Sequence, residues 1–467
     1  MDVRTRAIGA ILVAVVLVLA TVVAYRVLVT SHSGGGPGPA GLASCPSGPG
    51  SESAADWPTY HRDSQRDGAL AIAPVANAAT LWPAPPTLDG QVYAEPLACG
   101  TSVFVATEDD SVYAVNASTG AIEWHTHLGT PVDGATLPCG DIDPTGITGT
   151  PVIDASSGTL YAVAFLAPAQ HVLFGLDLRN GTVTYQRTVD PAGADASVEQ
   201  QRGALALAGS TVYIPYGGLA GDCAAYHGWV VGVPLGGNAP LLAYQVPTHR
   251  EGGIWAPGGI TVAPDGDLLV STGNGDSNTT YDSGDSVIEL SPSLTELDYF
   301  APVDWAQLNV HDTDLGSVSP TILPDGDLFQ IGKAGVGYLL SGTHLGGIGG
   351  QLFTAQVCGA AFGATAQSGG TLLVPCTNGL SALHTTSTNF TVVWSAPGFD
   401  CGPPIVTGDV VWVVDLGHAS LLGFNLTTGH PRFSFSLLSV DHFVTPSAAP
   451  GTVFVAAGDV LQAFGLS

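Results

Sequence analysis

Carboxylates are the most abundant reactive side chains in this sequence, and several stand within one turn of each other. Asp141 and Asp143, Asp282 and Asp285, and Asp312 and Asp314 form three such pairs. Closely spaced aspartates accept backbone N–H groups in loops, and secondarily they offer the hard oxygen ligands that calcium takes. The pairs are therefore turn residues first and calcium ligands second. Lys333, the only lysine, sits in Gly332-Lys333-Ala334-Gly335, a hairpin-turn sequence. The 13 histidines are scattered without an HExxH pattern, and no CxxC spacing occurs among the 7 cysteines, so zinc chemistry has little support.

The charge balance excludes one class of partner. Eleven basic residues face 39 acidic ones, a formal charge of -28, so a nucleic-acid backbone is repelled over most of the surface. Few basic groups also mean little positive self-repulsion once carboxylates protonate, which suits an acidic medium. A lysine-poor proteome is the alternative explanation.

Arg4 and Arg6 precede Ala7 to Tyr25, nineteen residues without a charge. That run is long enough to span a bilayer, and the preceding positive charge keeps the N-terminus in the cytoplasm. The expectation is a transmembrane anchor over 1–30, a Gly/Pro/Ser-rich linker over 31–55 and an extracytoplasmic domain over 56–467. A cleaved signal peptide is the alternative. A lipoprotein acylated at Cys45 fits less well, because Ser33 to Ala40 separates Leu42-Ala43-Ser44-Cys45 from the apolar run. Outside the cytoplasm disulfides are permitted, and setting Cys45 aside leaves six cysteines whose pairing is open.

The elements that must position any site are short strands. Gly (62) and Pro (33) are abundant and charged residues make up only 11%, a composition that turns often. Val103 to Ala106, Ser111 to Asn116 and Ile122-Glu123-Trp124 are apolar runs separated by turn residues. The unit returns at Thr150-Pro151-Val152, then near Arg202, Trp255, Ser319, Phe362 and Cys401, and an eighth copy begins near Val444. The eighth stops early, after Val460 to Leu466, leaving a sheet edge in need of a strand. Ala79-Thr80-Leu81-Trp82, just before the first copy, can supply it. The expected fold is all-β, an eight-bladed β-propeller with seven blades as the alternative.

Tyr113-Ala114-Val115-Asn116-Ala117-Ser118-Thr119-Gly120-Ala121-Ile122-Glu123-Trp124 resembles the repeat of the pyrroloquinoline-quinone (PQQ), or quinoprotein alcohol dehydrogenase-like, propellers. Asp56-Trp57-Pro58-Thr59-Tyr60 through Arg66-Asp67-Gly68 is similar to their usual N-terminal lead-in. The resemblance implies that the Trp and Gly of each repeat dock neighbouring blades, making Trp82, Trp124 and Trp394 structural. It also implies roles for a quinone and calcium site. Trp255 would stack on the quinone, Lys333 would contact its oxygens, Asn274 and Glu199 would bind calcium, and Asp312 or Asp314 would be the catalytic base. The adjacent-cysteine pair that many such dehydrogenases place over the quinone is missing from this sequence.

That family holds both dehydrogenases and non-catalytic members. The leading expectation is a membrane-tethered module binding a protein, glycan or small ligand at one face of the ring. The alternative is a PQQ- and calcium-dependent dehydrogenase oxidising an alcohol or sugar.

Overall fold

The computed structural model describes residues 55–237 and 239–467. The expected anchor, most of the linker and Cys45 lie outside the described residues. No described helix is long and apolar enough to cross a membrane.

The described chain forms eight sheets. Blade one comprises Leu97–Cys99, Ser102–Thr107, Ser111–Asn116 and Ile122–His127, paired in that order. The seven that follow begin with Val152–Asp154, Ala206–Ala208, Thr261–Val262, Thr321–Ile322, Ala366–Ser368, Ile405–Thr407 and Ser447–Ala449. First strands of adjacent blades touch one another, which places them around the ring's axis. The eight-blade expectation stands and the seven-blade alternative falls.

Burial explains the apolar runs. Ser102–Thr107 is buried at every position, because a middle strand is covered by blades on both faces. Ile122–His127, at the rim, alternates between exposed and half-buried. Apolar clusters lie between successive blades: Val163, Ile214 and Val231 join blades two and three, and Val270, Ile288 and Val230 join blades three and four.

The ring closes as expected. Ala78–Thr80 pairs antiparallel with Val460–Leu466, in the register Ala78 to Leu466 and Thr80 to Phe464, and the Leu81 N–H donates to the Ala463 carbonyl at 2.8 Å. Trp82 then lies against Gly120 of the first complete blade.

The same Trp-on-Gly contact recurs around the ring. Trp124 donates to the Leu178 carbonyl at 2.9 Å and lies on Gly181; Trp394 donates to the Leu426 carbonyl at 3.0 Å and lies on Gly429. A Cβ on Gly181 would stand 2.5 Å from the Trp124 ring, at φ +69°, whereas one on Gly158, at φ +67°, meets nothing. Gly181→Ala is therefore expected to cost roughly 2–4 kcal/mol, and Gly158→Ala about 1 kcal/mol. Urea unfolding of both variants checks this; equal losses would mean that the Trp contact is unimportant.

Residues 56–68 cross one end of the axis as a strap. Trp57 exchanges hydrogen bonds with Ala98 of blade one; the Pro58, Ser64, Asp67 and Gly68 carbonyls accept from Ile153, Val262, Gln367 and Val406. Arg66 donates to the Thr59 hydroxyl and to the Tyr60, Leu205 and Ile260 carbonyls. The strap thus ties separate blades together with hydrogen bonds that no single blade could supply.

Cys139–Cys223 and Cys358–Cys376 are disulfides, and Cys99 is also disulfide-bonded. Cys401 is a free, buried thiol, so the six cysteines do not all pair among themselves. The Cys401 thiol, facing the Gly402 carbonyl at 3.2 Å, sits in a fully packed position.

Candidate functional site

At the other end of the axis a cavity of about 470 Å³ opens between the blade connections. Trp255 comes from the segment before blade four, Asn274 from within that blade, Asp312 and Asp314 from the connection to blade five, and Lys333 from within blade five; all five line the cavity. Phe362 and Phe443 enter from the segments before blades six and eight.

Local backbone geometry lets these groups approach. Gly273, ahead of Asn274, faces the Trp255 ring, where a Cβ would come within 2.9 Å of Nε1. At Gly332 a Cβ would stand 2.3 Å from the Asp314 carbonyl oxygen, so glycine there allows the Lys333 N–H to reach that oxygen at 2.9 Å.

The polar centre is a knot of four side chains. Lys333 Nζ lies 2.8 Å from Asp312 Oδ1 and 3.0 Å from Asp314 Oδ2. The Asn274 backbone N–H donates to Asp314 Oδ1 at 3.2 Å, and its side-chain Nδ2 donates to Asp312 Oδ1 at 2.9 Å. Asn274 Oδ1 is buried with no donor among the described residues. Burial raises the pKa of Asp314, opposed by Lys333. Burial also pulls Lys333 down, but Asp314 and Asp312 outweigh it, so the ammonium is held charged. Lys333 Nζ sits 5.5 Å from the Trp255 ring centroid, a cation–π contact.

Other acidic pairs do the work of turns. Asp282 accepts from the Ser277 and Gly284 N–H groups, Asp143 accepts from Gly134, and Asp285 Oδ1 accepts from Leu315 at 2.8 Å, holding the chain beside Asp314. Glu199 falls away from the knot: it accepts from the His227 N–H and Trp229 Nε1 and does not line the cavity, whereas its neighbour Gln200 does. Successive side chains of a strand point to opposite faces, which separates the two.

Gln200, Arg202, Phe362 and Phe443 were not anticipated as site residues. Their signal was position: Arg202 and Phe362 stand where repeats begin, and Phe443 directly precedes Val444. Phe443 and Phe362 stack at 5.6 Å and both lie near Trp255, forming an aromatic wall. Cys139–Cys223 joins the loop bearing Asp141 to the loop Leu219–Asp222, and both loops line the same cavity.

The residues fit one of the two groups expected from the resemblance. A flat, oxygen-rich quinone is matched by the Trp255 face, the aromatic wall and the Lys333 ammonium. Calcium is not matched at the knot as built, since Asp312 and Asp314 both bond Lys333; Glu199 accepts through Oε1 alone, and its Oε2 is buried without a donor among the described residues. No group of three or more His, Cys, Asp or Glu gathers to hold a metal among the described residues.

A family model described as outer membrane protein assembly factor BamB matches residues 66–232. No curated protein matches the chain. Among solved structures, the quinohemoprotein alcohol dehydrogenase ADHIIG from Pseudomonas putida HK5 is similar at 13% identity and a TM-score of 0.71, over 88% of this chain and 80% of that one. A europium-containing methanol dehydrogenase is similar at 13% identity and a TM-score of 0.69, over 89% and 99%. BamB from Moraxella catarrhalis is similar at 14% identity and a TM-score of 0.56, over 84% and 98%. At such identities the likeness is one of fold, and it spans dehydrogenases and an assembly factor alike. The described chain is an eight-bladed β-propeller, and its residues 66–232 match a pyrroloquinoline-quinone-repeat family model.

Proposed function

We propose that this propeller is a binding module whose axial cavity takes a flat small molecule against Trp255. The observation that carries the reading is the meeting of Trp255, Asn274 and Lys333, from separate connections, in one concave site with an unsatisfied buried acceptor. The strap at 56–68 supports it too, because a ring tied across one end presents its other end as the site. The reading includes a tether through residues 1–30 and an extracytoplasmic propeller over 56–467; the two disulfides Cys139–Cys223 and Cys358–Cys376 suit that compartment.

One observation favours a second reading, a quinoprotein dehydrogenase: Asp314, one of the two expected bases, lines the same cavity as Trp255 and bonds Lys333. A bound quinone would supply the electron-accepting centre for oxidising an alcohol. Asp314 would hold the hydroxyl proton at a carboxylate oxygen, with Lys333 setting how readily it does so.

Titrating the purified full-length protein with pyrroloquinoline quinone, with and without calcium, tests both. The binding reading expects quinone retention without calcium, at least about tenfold weaker retention in Trp255→Ala, and no alcohol-dependent dye reduction. Calcium-dependent dye reduction that Asp314→Asn removes would favour the dehydrogenase. Equal retention by Trp255→Ala would sink the cavity as the site.

A further inference from the structure

Arg202 is a buried guanidinium for which the fold supplies no acceptor. It is 9% exposed, lines the cavity, and makes no hydrogen bond or ion pair with any described residue; the Phe443 ring lies 4.8 Å from Cζ, and Asp141 and Glu108 act on its charge only at longer range. Arg66 shows what the fold does for a buried guanidinium elsewhere, with acceptors from Thr59, Tyr60, Leu205 and Ile260. The Arg202 nitrogens open onto the cavity, where an acceptor from outside the chain can reach them.

Gln200 repeats the pattern. It is 6% exposed, lines the same cavity, and its side-chain amide has no hydrogen-bond partner among the described residues. Gln200 and Arg202, two residues apart, both line this cavity. Nearby acids offset the Arg202 charge without bonding it: Glu108 directs Oε2 to the Gly146 N–H and the Thr148 hydroxyl and leaves Oε1 buried without a donor, and Asp141 stands 3.7 Å from His442.

We propose that Gln200 and Arg202 form a carboxylate subsite of the axial cavity, and that the molecule held there is a small aromatic monocarboxylate. The planar fork of guanidinium donors matches the two oxygens of a carboxylate, as an ammonium does not. Phe443 and Phe362, stacked on each other, continue from the fork with the tilted Trp255 ring as an aromatic wall, which selects a ring for the rest of the ligand. One guanidinium and one amide supply donors for a single carboxylate. The subsite rests on the reading that the cavity binds a small molecule.

Calorimetric titration of the full-length protein with benzoate and with benzyl alcohol, which has a similar ring and no charge, tests the subsite. Benzoate is expected to bind at least about tenfold tighter, and Arg202→Met to remove that preference. Arg202→Lys keeps the charge and is expected to keep only part of it. Arg202→Met should melt no lower than the parent, because methionine fills the same space without an unpaired charge. A substantially lower melting temperature would make Arg202 structural and overturn the proposal. No preference for benzoate, or an unchanged preference in Arg202→Met, would overturn it as well, with water alone meeting the donors. If benzyl alcohol and the quinone still bind in that case, the cavity reading survives; if neither binds, both fall.

Discussion

Thermal unfolding is expected at a distinctly higher temperature at about pH 5 than at about pH 8. Burial raises Glu108 to about 7, Glu199 to about 8 and Asp110 to about 9, and it raises Glu95 and Asp285 well above the usual carboxylate range. Between the unfolded values near 4 and these folded ones, the native state keeps protons that the unfolded chain has released. The unfolded state then binds fewer protons, so stability falls as pH rises through that window.

Two histidines act in the opposite sense. Burial, reinforced by Arg66, lowers His61 to about 3, and burial with Arg202 lowers His442 to about 4; their stability is lost as pH falls below about 6.5. Five buried carboxylates outweigh two histidines, leaving a net loss of several kcal/mol and roughly 5 °C or more by about pH 8. Below about pH 4 the curve should turn down. Asp177 and Asp195, held low by hydrogen bonds from Arg179 and Ser197, and Asp154, held low against burial by Ser156 and Ser157, lose those bonds as they protonate. Calorimetry across that range is the measurement, and a flat profile or the reverse order would refute it. Glu108→Gln and Asp110→Asn should flatten the upper limb, as each removes a titration. The basic-poor composition and these buried acids then favour the same conditions.

Leu81→Pro is expected to open the ring. The closing strand is short, and its bond from the Leu81 N–H to the Ala463 carbonyl is one that proline cannot make. Trp82, the next residue, packs on Gly120 and stands 5.8 Å from Phe454, so displacing the strand removes a contact between the last blade and the first. The freed edge of Val460–Leu466 would expose unpaired backbone groups. A loss of roughly 3–5 kcal/mol is expected, with faster proteolysis near residue 81 and a tendency to self-associate. Leu81→Ala keeps the N–H and should lose much less. Melting within a degree or so of the parent would mean that closure does not depend on this pairing.

Much of the architecture was legible because a propeller writes itself locally. Each blade is a run of adjacent antiparallel strands, so Ser102–Thr107 and Ser111–Asn116 announce themselves through apolar residues bounded by turns, and the Trp124 and Gly181 signature marks where blades dock. Even the ring's closure could be read, since an unfinished eighth copy and a spare Leu81-Trp82 are complementary parts. Trp255, Asn274, Asp314 and Lys333 were legible through resemblance, as short motifs that keep their order along the chain.

Tertiary structure alone decided what those residues do to each other. No spacing along the chain says that Lys333 bonds both Asp312 and Asp314, which turns an expected base and its neighbour into an ion-pair knot. Nor does it say that Glu199 turns towards Trp229 while Gln200 faces the cavity. The cysteine count suggested six partners, yet Cys401 lies buried and unbonded. Arg202, Phe362 and Phe443 belong to three different blade connections and meet only because the ring brings every connection to the same axis. The physical reason is one of range. Strand and turn formation depend on neighbours a few residues away, which the sequence itself determined for this protein, whereas the site is an intersection of distant segments whose charges and packing acquire partners only once the ring is closed.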